Sequence, residues 1–289
     1  MFFALIVSCS SDSDDSNKNK NEIPFDTKQI KNIELVDITN GEEKPFGNIS
    51  FTYDMSGRLI NVKKVEADYI SGETKSIKET MFTYDEHKIN FKTMIEEDFS
   101  VSLHKGFFTL NGKGLVEKGE VNDENNSPCF YTYKYDNGRL INTHTRTKLY
   151  ISKISMEWLA DNISLFEWVA EHNETKERTI QYERVDYNNF YNNASIDLAR
   201  LICFGNEGGI GVSQICGNEE ACYLDITGKR VKQMPLRMTE QIDKVKKVVK
   251  DFEYNRDPSN RIYEIKVKKE SSFFNGQVER REYKYLIGY

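Results

Sequence analysis

The residues of this chain that could do chemistry are few and scattered. Its histidines, His87, His104, His144 and His172, show no HxH or HxxxH spacing, so no two are set to share a metal. "EHNE", from Glu171, has donor atoms for a metal but reads as a solvated loop. The glycine-rich "FGNEGGIGVSQICG" lacks the Lys-Ser/Thr of a phosphate-cradling loop and the GxGxxG spacing of a dinucleotide turn. "GVSQI" lacks the second glycine of a nucleophile elbow. The segment reads as a flexible loop. Besides Cys9 there are Cys129, Cys203, Cys216 and Cys222. No CxxC occurs, which disfavours a metal site. Cys216 and Cys222 bracket a loop small enough to close, so they are the disulfide candidates in an exported chain. Cys129, beside Phe130, reads as a small buried hydrophobe. The expectation is no catalytic residue, no metal and no cofactor: not an enzyme.

What remains is acids and bases beside turns. "FTYDMSGRLINV" begins at Phe51, "FTYDEHKINF" at Phe82, "YKYDNGRLIN" at Tyr133, "YLDITGKRV" at Tyr223 and "FEYNRDPSNRIYEI" at Phe252. Folded on its turn, each is a β-hairpin. Asp54 faces Arg58 and Tyr53 faces Leu59 across a loop in which Gly57 takes the left-handed conformation. Asp136 faces Arg139 and Tyr135 faces Leu140 across Asn137-Gly138, a strong hairpin signal. By the same folding Asp85 faces Lys88, Asp225 faces Lys229 with Tyr223 opposite Val231, and Asn255 faces Arg261 with Tyr254 opposite Ile262. Side chains alternate along a strand, so the charged pair lies on one face and the aromatic–aliphatic pair on the other. An acid–base pair could be a catalytic dyad, but exposed turn pairs are usually solvated structure.

These hairpins need a sheet to hold them. The chain has 289 residues, 38% hydrophobic, with 17 Phe and 16 Tyr against 2 Trp, a balance that favours strands. Net charge is −6 with the signs interspersed, which excludes a basic nucleic-acid footprint. "VEADYISGETKSIKETMFTY" predicts a turn at Ser71-Gly72, "FFTLNGKGLVEKGEV" a hairpin about Asn111-Gly112, and "ISMEWLADNISLFEWVA" strands paired across Asp161-Asn162. "RTIQYERVDY" reads as a further strand. In "NNASIDLARLICFG", Ser195 could cap a short helix through Leu201 that Gly205 ends. "TEQIDKVKKVVKDF" fits helix or strand, with strand favoured from Lys247. Tyr283, Tyr285, Ile287 and Tyr289 close the chain in period two. That ending resembles the last strand of outer-membrane barrels. A spanning strand, however, needs roughly 9–11 residues with a clean lipid-facing row. Lys269 interrupts the row read as Tyr263, Ile265 and Val267, and Lys63 and Lys64 interrupt "RLINVKKV", so the strands suit a water-facing sheet.

The chain opens "MFFALIVSCSSDSDDSNKNKNE". "LIVSC" resembles the lipobox of bacterial lipoproteins, which implies lipidation of Cys9 and removal of residues before it. No base precedes the short apolar run, so the true start is expected upstream. Residues 10–22 hold no apolar side chain, and residues 10–29 are expected to form a disordered polar tether. A lipidated cysteine with a Ser/Asp-rich tether resembles the surface-export signal of Bacteroidetes lipoproteins. The hairpins resemble degenerate YD repeats, too few and too widely spaced to imply a shell. With "VDYNNFYNNASIDLARL" and the Tyr-alternating C-terminus, residues 30–289 resemble a Bacteroidetes lipoprotein family of unknown function with a porin-like β fold. The resemblance implies a single all-β domain: a large curved antiparallel sheet or incomplete barrel of meandering hairpins around one short helix near 195–203. It brings no catalytic residue.

The functional expectation is a cell-envelope lipoprotein, anchored to the outer membrane through Cys9 and surface-exposed in preference to periplasm-facing. It acts as a non-catalytic binding or scaffold module for a protein, glycan or lipid ligand, and not for nucleic acid. The alternative is a carrier enclosing a lipid or other apolar ligand within a curled sheet.

Overall fold

The computed structural model describes residues 29–289 apart from 68–72, 98–99, 123–126, 205–215, 217 and 243–244. Cys9, the tether, the Ser71-Gly72 turn and most of the glycine-rich segment therefore lie outside the described residues. The described chain is all-β and antiparallel, with sixteen strands in a closed barrel. They are β1 (Asn32–Thr39), β2 (Glu42–Tyr53), β3 (Leu59–Ala67), β4 (Thr74–Tyr84), β5 (Lys88–Glu97), β6 (Ser100–Leu110), β7 (Val116–Asn122) and β8 (Pro128–Asp136). Then follow β9 (Arg139–Arg146), β10 (Tyr150–Leu159), β11 (Asn162–His172), β12 (Arg178–Tyr191), β13 (Gln233–Ile242), β14 (Lys246–Arg256), β15 (Ile262–Phe273) and β16 (Val278–Gly288). Two helical turns interrupt the meander between β12 and β13: α1, a π-helical turn (Ala199–Cys203), and α2 (Glu219–Tyr223).

The sheet closes where the sequence left an incomplete barrel open as an expectation. β1 pairs with β16 from Asn32–Gly288 to Ile38–Glu282. Closure gives the backbone groups of both terminal strands partners and leaves no sheet edge.

Because each strand pairs with its sequence neighbour, the turns alternate between two rims. The hairpins β2–β3, β4–β5, β6–β7, β8–β9, β10–β11 and β14–β15 all turn on one rim. There the chain also enters at Ile30, ends at Tyr289 and carries the insertion 192–232. The repeated motif is therefore the punctuation of a single rim. Several of its hairpins share a β-bulge just inside the second strand. Register shifts fall at Thr52/Tyr53, Thr109/Leu110, Lys134/Tyr135, Glu157/Trp158 and Asn255/Arg256. Bulges at a barrel rim increase twist and bend the strand.

Some sequence expectations change. The Tyr223 segment is no hairpin: Tyr223 ends α2, whose N-cap Asn218 accepts from the Ala221 amide at 3.1 Å. At the Phe252 copy the bulge moves the register, so Tyr254 pairs Ile265 and Asn255 pairs Glu264, while Asp257 meets Arg261. The same bulge turns Tyr263 outward, away from Ile265 and Val267. The β6–β7 loop runs from Asn111 to Leu115 with Gly114 at φ 73°, in place of a two-residue turn at Asn111-Gly112. Ser195 caps no helix; its Oγ accepts from the Ile30 amide at 3.1 Å. Gln241 and Ile242 finish β13, so the ambiguous segment is a hairpin arm followed by β14.

The outer wall carries charged side chains at mid-strand. Mid-strand outward positions include Lys63, Lys92, Lys153, Arg184, Arg237, Asp251 and Lys268. Some pair across strands: Arg237 Nε with Asp251 at 2.5 Å, Lys268 with Glu253 at 2.9 Å, Arg280 with Glu270 at 2.8 Å. A lipid-facing Lys or Arg at the bilayer midplane costs ~2–4 kcal/mol each. A wall studded with them is poorly suited to hydrocarbon.

Candidate functional site

With no edge and a charged exterior, the distinctive surface is the lumen, which is built in three levels. The first is the rim of repeated turns. Most odd-to-even strand ladders stop short of this rim, so that a carbonyl at or near the start of the odd strand lacks a donor from the ladder. An aromatic side chain near the end of the following even strand supplies it. Tyr53 Oη donates to Ile30 O, Tyr84 to Leu59 O, Tyr135 to Val116 O, Trp158 Nε1 to Leu140 O, Tyr187 to Ile163 O, Tyr254 to Pro235 O and Tyr289 to Ile262 O, at 2.5–3.1 Å. Only β6 departs, carrying Leu110 at that place. This is the physical meaning of the repeated aromatic: its ring covers apolar core while its polar tip satisfies an orphaned acceptor. Burial pushes the Tyr84 and Tyr289 hydroxyls up to about 12, keeping them donors.

The acids of the motif serve the turns. Asp54 Oδ1 accepts from the Ser56 and Arg58 amides at 2.9 Å, and Oδ2 accepts from Arg58 Nε at 2.7 Å. The Arg58 amide first, with its guanidinium, holds this carboxyl below its usual range. Asp257 and Arg261 repeat the arrangement at 2.6 Å. Asp136 and Arg139 are backbone partners, as the turn predicts, but their side chains diverge. Arg139 reaches Asp161 of the next turn at 3.1 Å, and Asp136 accepts from Asn137 at 3.2 Å. Asp85 accepts from Asn90, while Lys88 lies 4.0 Å from the centre of the Phe107 ring. Asp225 pairs with Arg230 and not with Lys229. Gly57 and Gly138 have φ of 79° and 77°.

The second level is apolar. The aliphatic residue that follows each turn, Leu59, Ile89, Val116, Leu140, Ile163 or Ile262, is buried and belongs to one core with the insertion residues Leu198, Leu201, Phe204, Tyr223 and Val231. Phe204 packs edge-on to Phe166 and Tyr223 to Phe51, both at 6.0 Å. The insertion thus stoppers this end of the barrel. Arg200, 2% exposed, ties it together by pairing with Asp197 at 3.3 Å and donating to Thr227 Oγ1 at 2.6 Å and to the carbonyls of Thr227 and Lys229. Cys216 and Cys222 lie within it, their Cα atoms 5.9 Å apart and their sulfurs at bonding approach. Cys203 is buried against the Tyr254 hydroxyl, and burial pushes its thiol up to about 12.

The third level is polar. Moving toward the opposite rim along the inward rows, Phe82 gives way to Thr80 and Lys78, Leu35 to Asp37, Val185 to Glu183 and Gln181, and Phe252 to Lys250. Lys78 bonds Glu219 of α2 at 2.6 Å and Glu220 at 3.1 Å, fastening the stopper to the wall. Burial opposes the charge on Glu219, but Lys78 and Lys64 overcome it and hold its carboxyl low. On the far wall Glu183 and Glu240 sit directly opposite each other on β12 and β13, beside Lys250. Burial, with Glu240 adding repulsion, pushes Glu183 up to about 8 despite Lys250. One oxygen of Glu183 has no hydrogen-bond partner. These residues escaped sequence reasoning, although a signal exists: each is a polar side chain in phase with the apolar row of its strand. Among the described residues, no three His, Cys, Asp or Glu side chains converge as a metal site would require. His172 instead accepts from the Glu174 and Thr175 amides, away from the lumen.

The architecture is that of a porin-like β-barrel. The chain is similar to a porin-like protein from Bacteroides uniformis, with a TM-score of 0.59 and 15% identity over 90% of this chain and 98% of that one. A porin-like protein from Bacteroides vulgatus aligns with a TM-score of 0.56 and 14% identity over 91% and 98%. At such identities the likeness is one of fold. No protein-family model and no curated protein matches the chain.

Proposed function

We propose that this chain is a non-catalytic binding protein of the cell envelope, anchored to the outer membrane through a lipidated Cys9 and the tether 10–29, that receives a polar ligand in the polar half of its lumen. The observation that carries the reading is the division of the lumen. The apolar residues of the insertion pack into one half, whereas the inward side chains of Glu183, Gln181, Lys250, Asp37 and Lys78 are gathered in the other, where Glu219 and Glu220 of the insertion also reach. A polar ligand needs such convergent charged and hydrogen-bonding groups. The charged outer wall favours lipid anchoring over spanning as the route to a membrane. A lipid carrier would need an apolar void, and the described apolar level is occupied by Leu198, Leu201, Phe204 and Tyr223. Within this reading the Cys216–Cys222 bridge locks the stopper in the oxidising envelope, and peptide mapping without reductant would find the two peptides joined.

Native mass spectrometry of the protein extracted from envelopes tests the function. A co-purified glycan or peptide, lost in Glu183→Lys, supports it. Stoichiometric lipid would favour the carrier. Turnover in a hydrolase screen, abolished by one lumen substitution, would overturn the non-catalytic reading.

A further inference from the structure

We propose that the polar half of the lumen takes an anionic ligand, a small polar molecule whose carboxylate or sulfate lies across Lys250, Lys269 and Arg281. This rests on the polar-lumen reading above and gives its ligand a sign of charge.

The three bases form a row. Lys250 on β14 is directly opposite Lys269 on β15, and Lys269 is directly opposite Arg281 on β16. All three face inward. Two positions further along their strands, Phe252, Val267 and Tyr283 are likewise opposite one another and belong to the buried core. Cross-strand neighbours have Cβ atoms about 4.5–5.5 Å apart, and like charges placed there repel. On the outer wall, by contrast, Arg237 and Arg280 have acids opposite them, Asp251 and Glu270, and bond to them.

The inner wall itself shows what relieves adjacent bases. Lys64 on β3 is directly opposite Lys78 on β4, also facing inward, and a carboxylate serves both: Glu219 of α2 lies 2.6 Å from Lys78 and 4.0 Å from Lys64. There the fold supplies the anion. At the row on β14–β16 the acids adjoin the two ends. Asp37 pairs with Arg281 at 2.7 Å, and Glu183 and Glu240 stand beside Lys250. Burial, the largest influence on Glu183, pushes it up to about 8, so that this acid offsets little charge at neutral pH. Nearer the rim one further base, Lys44 opposite Asp37, and one further acid, Glu279 opposite Ser271, offset each other. All three bases of the row have partners in the fold, yet their adjacency still costs repulsion that a bound anion removes. Lys269 and Arg281 are only half-buried although they face inward, so an anion in the lumen can approach them. Carboxylates and sulfates suit such a row, because guanidinium and ammonium groups make charge-assisted hydrogen bonds to their oxygens.

The test melts the full chain and its Lys269→Gln variant in urea, with sodium glucuronate, with sodium sulfate, and with glucose plus sodium chloride at matched ionic strength. Lys269→Gln removes the middle charge of the row, so without either anion its midpoint should equal or exceed that of wild type. A ligand that binds only the folded state raises the midpoint. Glucuronate, sulfate or both should therefore raise the wild-type midpoint above the glucose control, and raise that of Lys269→Gln several-fold less. Sulfate also stabilises proteins generally by exclusion from their surface, so the difference between the two proteins is what is read. Lys268→Gln, outward on the same strand, should respond as wild type does. A lower midpoint for Lys269→Gln without anion would mean that acids of the fold already bridge the row. Equal responses of wild type and Lys269→Gln would mean that no anion binds there. Either result overturns the proposal. The polar-lumen reading is judged separately, by the ligand that co-purifies from envelopes: a neutral glycan or a basic peptide would keep that reading and overturn this one.

Discussion

The two ends of this barrel are built by different rules. At the stoppered end, seven aromatic side chains cap orphaned carbonyls in near-circular order, and the turns repeat Asp, a left-handed residue and Arg or a neighbour's base. At the opposite end the described connections share no motif. Glu183, Glu240, Lys250, Asp37 and Arg281 instead accumulate on the inner wall below them. The comparison teaches that repetition marks the structural end. A motif that recurs on every second strand does a job that recurs on every second strand, namely ending a ladder. The residues with unusual electrostatics occur once each, on the other half.

The sharpest way to break this contrast is at the stopper's own ion pair. Arg200→Ala would leave Asp197 buried without its partner, and losing one member of such a pair costs about 3–5 kcal/mol. Denaturant melts should show that loss. A midpoint within experimental error of wild type would mean that the stopper is not part of the cooperative fold.

The polar half should respond to pH where the stoppered half does not. Glu183 titrates near 8 in the folded chain against 4.5 for an ordinary glutamate, so the folded state binds more protons between those values. Stability from this group is therefore complete below pH 4.5 and is lost as pH rises through 8. The loss amounts to about 3 kcal/mol by pH 7. Urea midpoints of Glu183→Gln should depend less on pH than wild type over that window. Parallel curves for the two proteins would show that Glu183 is not the source.

Gly57→Val and Gly138→Val probe the turns. Each forces a β-branched residue into the left-handed region and should cost about 2 kcal/mol. Unchanged melts would reject the turn assignment. The smallest effect belongs to one tie of the aromatic ring. Tyr84→Phe keeps the ring but strips the donor from the Leu59 carbonyl, for a loss of about 1 kcal/mol. Met81→Ala, outward on the same strand, should cost less than that. An equal or larger loss there would mean that the hydrogen bond is not what the aromatic contributes.

Much of this was legible in the chain itself, for a local reason. Alternation, turn residues and hairpin loop length act over a few residues. Tyr53–Leu59, Tyr84–Ile89 and Tyr135–Leu140 can accordingly be paired from sequence, and so can the all-β class. Tertiary structure alone decided the rest. Whether sixteen strands close depends on β1 meeting β16, more than two hundred residues apart, and the same alternation would serve an open sheet. Bulges shift the register at Asn255/Arg256 without any mark that distinguishes them from an ordinary hairpin, which is why Asp257 and not Asn255 meets Arg261. Arg139 faces Asp136 along the chain but reaches Asp161, because neighbouring turns on a closed rim lie within a side chain's length. Glu183 and Lys250 look like interruptions of two separate strands. They become one buried site only because closure turns their faces inward and sets β12 and β14 either side of β13.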